Sequence, residues 1–393
     1  MRIAMIGTRG VPARYGGFET AVEEIGRRLV NRGHEVTVFC RSAADELVEG
    51  RYLGMSRVVL PALTTRALET LSHTALSVMH PSLAEADVAL VFNAGNAPLL
   101  PVLRARGIPV ATHVDGLEWQ RAKWGPLGQR YYRMAESLAV RWSDQLIADA
   151  TGIVDYYRSE FNAPTRHISY GAPILDAVGF DRLEELGLEP QRYHLVVARF
   201  EPENHVREIV RGYVLSDARR PLVVVGSAPY SDAYTREIED AADDRVRLLG
   251  GLWDQALLDQ LYANSLTYLH GHSVGGTNPS LLRAAGAGAF VIAYDVGFNH
   301  EVVGEHAWYF REPAEVAEAV VSAESNLAEV RGHGLALQSA IARYSWDVVA
   351  DAYEGLCEDL LEDGVTRRAG RPTGRRNTAR ANGRIERSQH AER

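Results

Sequence analysis

Apolar residues along this chain fall into two alternating periods. RIAMIG (residues 2–7) is a short apolar run, TRGVPARYGG (8–17) a long glycine-bearing loop, and FETAVEEIGRRLVNRG (18–33) has near-helical apolar spacing that stops at Gly33. HEVTVFC (34–40) then alternates as a second strand. VALVF, PVATHV and QLIAD follow as strand candidates with helical segments between them, the pattern of a parallel sheet covered on both faces. After Ser169–Gln191, which has scattered Gly and Pro and weak periodicity, a second series begins: YHLVVARF, PLVVVG, RVRLLG, SLTYLH and AFVIAYD. The pattern predicts an α/β protein with two tandem Rossmann-like domains, residues 1–172 and 173–364. Ligands of such sheets bind outside the carboxyl ends of the strands, so the expected site is a cleft between the domains.

Length and composition agree with two domains: 393 residues, 46% of them hydrophobic, allow each half its own core. Charge is uneven. From Val365 onward nine arginines stand against Glu386 and Glu392, so residues 365–393 are expected to form a disordered basic tail on a body that is strongly acidic. Such a tail allows peripheral contact with anionic membrane; no dedicated nucleic-acid partner is expected. Cys40 and Cys357 match no metal or redox spacing and read as buried thiols of a reducing compartment. The N-terminus lacks a signal-peptide pattern, and no apolar stretch approaches the roughly 20 residues that span a bilayer, so a soluble, cytoplasmic body is expected.

The chemistry-bearing residues gather at strand ends. In HGHSVGGTNPSLLRAAGAG (270–288), Asn278 is a good N-cap and Pro279 a good first helical residue, while Gly275 and Gly276 let a ligand approach the helix N-terminus. Thr277 and Ser280 belong to the same candidate anion site, which also reads as an ordinary capped helix. Gly16 and Gly17 stand likewise before the first helix. The spacing of Gly7 and Gly10 does not fit a dinucleotide fingerprint, and Arg41 stands where its acidic residue would be. Arg199, at the end of HLVVARF, is a fork donor suited to diphosphate or to a surface ion pair. His113, in ATHVDGLEWQRAKW, is placed to contact a sugar or an acceptor hydroxyl, or to be satisfied by Asp115; Glu118 follows on the acceptor side. His270 and His272 lie two apart but lack a third ligand, and no Asp-x-Asp pair is present, so no metal site is expected.

These motifs carry a resemblance. IGTRGVPARYGGFET, LPALTTRALETLSHT, VFNAGNAP, HVDGLEWQRAKW, SYGAP, VARFEPEN and HGHSVGGTNPSLL resemble glycosyltransferases of the two-Rossmann GT-B type, in the large retaining family four, and within it the bacterial rhamnosyl- and glucosyltransferase branch of polysaccharide assembly. The resemblance implies a hexosyltransferase that moves a sugar from a nucleoside-diphosphate sugar to a glycan or lipid-linked acceptor with retention, without a cofactor or metal. It implies that His113 and Arg199 take part in transfer. It assigns Gly16, Gly17, Gly275, Gly276, Thr277, Asn278, Ser280 and Arg283 to the donor, and Asp115 and Glu118 to the acceptor side. It also implies that the last helix, around SWDVVADAYEGL, crosses back onto the first domain. The chain departs from the family at three places: the two glutamates with seven residues between them are Gly275 and Arg283, and the lysine five places after the strand-end arginine is Asn204. Arg283 lies four residues after Pro279 on the same helix face, so it reads as a cation reaching the anion pocket, as an obstruction of the ribose site, or as a solvated side chain.

Overall fold

The computed structural model describes residues 1–13, 16–42, 50–63, 68–114, 116–121, 124–227 and 232–369. Asp115 and residues 370–393 of the basic tail lie outside them. The first sheet holds β1 (Arg2–Ile6), β2 (Glu35–Arg41), β3 (Gly50–Tyr52), β4 (Met55–Leu60), β5 (Val88–Phe92), β6 (Val110–His113), β7 (Gln145–Ala148) and β8 (Arg166–His167). Their spatial order is β3-β4-β2-β1-β5-β6-β7-β8. The second sheet holds β9 (His194–Val197), β10 (Leu222–Val225), β11 (Val246–Gly250), β12 (Thr267–His270), β13 (Phe290–Tyr294) and β14 (Ala307–Phe310), in the order β11-β10-β9-β12-β13-β14. All pairings are parallel except the β3–β4 hairpin.

Parallel strands need helices on both faces, and the sequence supplies them. All five residues of β5 are buried. In the first helix, Gly17–Asn31, the buried residues Ala21, Val22, Ile25, Gly26 and Leu29 form one face, and Gly33 takes φ +88° where the chain leaves the helix. In the first sheet β1 pairs with β2 on one side and β5 on the other; in the second, β9 pairs with β10 and β12. Strand order reverses at β1 and at β9, so each sheet opens its crevice at the carboxyl ends there.

Residues 169–191 cross between the sheets with one short 3₁₀ segment, Asp181–Leu186. The return crossing runs beside them: the Ala172 amide donates to the Tyr344 carbonyl at 2.6 Å, and Ala172 bridges Ser345 in parallel. The last helix, Trp346–Ala369, then lies along the first helix, so the helix runs five residues past the expected start of the tail. Arg28 meets Asp347 at 2.6 Å, Arg32 meets Glu354 at 2.7 Å, and His34 meets Glu354 at 2.6 Å. Exposed pairs of this kind contribute little singly; the buried Tyr353, Leu356, Cys357 and Leu360 beneath them carry the contact. A second bridge joins the halves where Glu301 accepts from the Thr151 amide (3.0 and 2.9 Å) and hydroxyl (2.8 Å) at the start of the helix Thr151–Phe161. Both cysteines are buried and free.

Candidate active site

The carboxyl ends of β1, β5, β7, β9 and β12 face a cavity of about 1280 Å³ between the two sheets. Two helix N-termini meet there. Gly16 and Gly17 open the first helix, and Asn278 caps the helix Pro279–Gly286 by accepting from the Ser280 amide at 2.9 Å. The two approach so closely that a Cβ on Gly17 would stand 3.0 Å from Pro279 Cγ. Each first turn leaves amides without an intrahelical partner and carries the positive end of a helix dipole. Facing each other across the cleft, they form a place for an anion.

Arg199 lines this cavity just beyond β9 and makes no side-chain hydrogen bond or ion pair among the described residues, so its fork is available to a ligand. The glycine loop is shaped by contact with the first domain. Gly275 has φ +130°, and a Cβ on Gly116 would lie 2.4 Å from its Cα. A Cβ on Gly276 would lie 2.1 Å from Asp149 Oδ1, while the Thr277 hydroxyl donates to the Asp149 carbonyl at 2.7 Å. Gly16, Gly17, Glu118, Arg199, Gly275, Gly276, Thr277, Asn278, Ser280 and Arg283 thus all line one cavity.

His113 stands behind that wall. It is buried among Phe18, Phe92 and Tyr170, with Nδ1 3.3 Å from the Tyr353 hydroxyl of the returning helix and Nε2 without a partner among the described residues. Burial pushes its pKa down to about 3, so the ring is neutral. Glu118 is engaged: Arg121 Nε lies 2.6 Å from its carboxylate and Trp124 Nε1 donates to it at 3.1 Å.

The three departures have structural partners. Arg283 Nη1 meets Asp259 Oδ1 at 3.3 Å, and each side chain is roughly a quarter exposed. Arg283 is therefore tied to the neighbouring helix Gln255–Asn264 while still lining the cavity, which sets aside the solvated reading. Asn204 donates from Nδ2 to the Arg199 carbonyl at 2.8 Å and accepts at Oδ1 from His272 Nδ1 at 2.7 Å. Gly275 lies beside His272, whose Nε2 would stand 3.3 Å from a Cβ built there.

Sequence reasoning missed Asp149, Arg9 and Trp253 as cavity residues. Asp149 follows β7 directly, the same strand-end position that drew attention to Arg199. Trp253, 69% exposed, gives no signal in the sequence because its loop has no periodicity.

Comparison with known families decides what this architecture belongs to. Residues 16–171 match the glycosyl transferase 4-like domain, and residues 191–326 match the glycosyl transferases group 1 family. The chain belongs to the GT-B glycosyltransferases. Sucrose-phosphate synthase from Thermosynechococcus elongatus superposes on this glycosyltransferase with a TM-score of 0.79 at 18% identity, covering 92% of this chain and 99% of that one. HepE from Anabaena, solved with UDP and glucose, superposes with a TM-score of 0.74 at 16% identity over 91% of this chain and all of that one. In sequence, the glycosyltransferase is 30% identical over 144 residues to the GtfA subunit of a UDP-N-acetylglucosamine–peptide N-acetylglucosaminyltransferase from Streptococcus gordonii. That match spans 35% of this chain and 28% of the subunit.

Proposed function

We propose that the protein transfers a sugar from a nucleoside-diphosphate sugar to a glycan or lipid-linked acceptor with retention, using neither cofactor nor metal. The observation that carries this reading is the meeting of two helix N-termini beside Arg199, whose guanidinium has no partner among the described residues. Charge that develops on the departing diphosphate would be met by oriented dipoles and a fork donor already in place. The cavity carries Arg199 and Arg283 on the second-domain wall and, among its described lining residues, no carboxylate there. Carboxylates Glu19, Glu24, Glu69, Glu118 and Asp149 stand on the first-domain wall beside Arg9, Arg41 and Arg121, where hydroxyl groups of an acceptor would be held. The donor is thus held mainly by the second domain, with the first helix's N-terminus facing its diphosphate, and the acceptor by the first. Attack on the face from which diphosphate leaves requires no protein nucleophile, and His113, neutral behind Phe18 and Tyr170, supports the transferred sugar rather than a proton transfer. UDP-linked neighbours support a nucleotide-sugar donor, and rhamnose or glucose transfer in cell-surface polysaccharide assembly is the pathway we infer.

The test is nucleotide release from a panel of dTDP-, UDP- and GDP-sugars with lipid-linked or glycan acceptors, beside calorimetric nucleotide binding. Binding without turnover on any acceptor would favour a second reading, a nucleotide-sugar-binding or scaffolding relative. That reading is motivated by the missing carboxylate at Arg283. We also propose cytoplasmic action at the inner membrane face, with the arginine-rich residues 370–393 as the contact. No helix among the described residues is long and apolar enough to cross a membrane.

A further inference from the structure

We infer that His272 is the residue that binds a hydroxyl of the donor sugar, and that Asn204 is the positioning residue that holds its ring in the tautomer this requires. The inference rests on the donor reading above and names the contact that reading leaves open.

Three observations converge. First, the hydrogen bonds around Asn204 fix a direction. Its amide Nδ2 faces the Arg199 carbonyl at 2.8 Å, and a carbonyl can only accept. Asn204 Oδ1 therefore faces His272 Nδ1 at 2.7 Å, and since an amide oxygen can only accept, Nδ1 carries the proton. Nε2 is left with a bare lone pair, and it has no hydrogen-bond partner among the described residues.

Second, that nitrogen borders the space beside Gly275. A Cβ built on Gly275 would stand 3.3 Å from His272 Nε2 and 3.8 Å from Arg121 Nη2. The space that a side chain at position 275 would fill is bounded by an acceptor from the second domain and a cation from the first. His272 and Arg121 both line the cavity. A sugar hydroxyl is both donor and acceptor, so it can donate to Nε2 and accept from the guanidinium at once.

Third, the described lining of the second-domain wall offers no carboxylate, so hydroxyl protons there need another acceptor. A neutral imidazole supplies one without placing negative charge beside a diphosphate. The ring stays neutral: burial first, then the positive charge of Arg121 and that of Arg199 near it, hold its pKa well below the ordinary histidine range. The same geometry accounts for Asn204. A lysine there has three donors and no acceptor, so it would not hold Nδ1–H.

Calorimetry with UDP, dTDP and GDP, each alone and as its glucose conjugate, tests this on the full chain. His272→Ala should leave the affinity for the free nucleotide within about twofold and weaken the nucleotide sugar about tenfold, with turnover falling in parallel. His272→Gln, whose amide oxygen restores an acceptor, should recover most of the loss. Asn204→Leu should show the same sugar-selective defect, since the ring would then take either tautomer. A merely structural role would weaken nucleotide and nucleotide sugar alike and lower Tm. Equal weakening of both, or unchanged nucleotide-sugar affinity in His272→Ala, overturns the inference and leaves the donor reading standing. Absence of any nucleotide binding by the wild-type chain overturns both.

Discussion

Adding one methyl group at Gly276 should disable the enzyme without unfolding it. The new Cβ would stand 2.1 and 2.3 Å from the two carboxylate oxygens of Asp149, where ordinary contact begins near 3.4 Å. Either the loop or the carboxylate must therefore give by about 1.3 Å. The carboxylate is poorly placed to yield. Asp149 is 4% exposed, and its own carbonyl accepts from the hydroxyl of Thr277, the very next loop residue. The loop must shift, and with it the N-terminus of the helix Pro279–Gly286 relative to Gly17 and Arg199. A displacement of about 1 Å in a positioned site costs on the order of 10²-fold in rate. Gly276→Ala should accordingly lower kcat/KM about a hundredfold in a nucleotide-release assay. The Tm should fall only by a few degrees, because the contact is at the cleft and not in either sheet. Gly297→Ala is the control, since a Cβ there meets nothing within 4 Å. A Gly276→Ala enzyme within about threefold of wild type would refute the claim that the two helix N-termini must be held in register.

Other outcomes follow from the same geometry. Arg199→Ala should weaken nucleoside-diphosphate binding by about 1.5–3 kcal/mol, the range for hydrogen bonds to charged groups, with Arg199→Lys in between; titration calorimetry reads both. Arg283→Glu would set a carboxylate against Asp259, so it should lower Tm, and adding Asp259→Asn should restore it in thermal melts. His73, His113 and His270 are held neutral by burial, at about 4, 3 and 3, against an unfolded value near 6.5. The unfolded chain binds more protons below 6.5, so their contribution is present above pH 6.5 and is lost as pH falls from there toward 3; denaturant melts across that range should show it. Deleting residues 370–393 should reduce binding to anionic vesicles, and the difference should vanish at high salt.

The sheets were legible because buried parallel strands are continuous apolar runs, as in VALVF. The pieces that escaped were short or polar. The β3–β4 hairpin pairs GRY with MSRVVL, which has neither clean alternation nor a strong turn signal, and β14 is the four-residue AWYF. The glycine loops were legible for a local reason: Asn278 and Pro279 are neighbours whose capping chemistry needs no third partner. The contacts that give the departures their meaning are not local. Asn204 meets His272 across 68 residues, and Arg283 meets Asp259 across 24. A sequence shows that Asn204 and Arg283 break a family pattern, but the folded chain shows what each holds. His113 shows the same limit: its strand-end position was readable, its enclosure by Phe18, Tyr170 and Tyr353 was not.

The central claim is that the cleft beside Arg199 activates a nucleoside-diphosphate sugar. Nucleotide release by the full chain, followed across dTDP-, UDP- and GDP-sugars with lipid-linked and glycan acceptors, tests it most directly. The account predicts acceptor-dependent release from at least one donor, lowered about tenfold or more in Arg199→Ala. No release from any donor, together with no nucleotide binding by calorimetry, would contradict it.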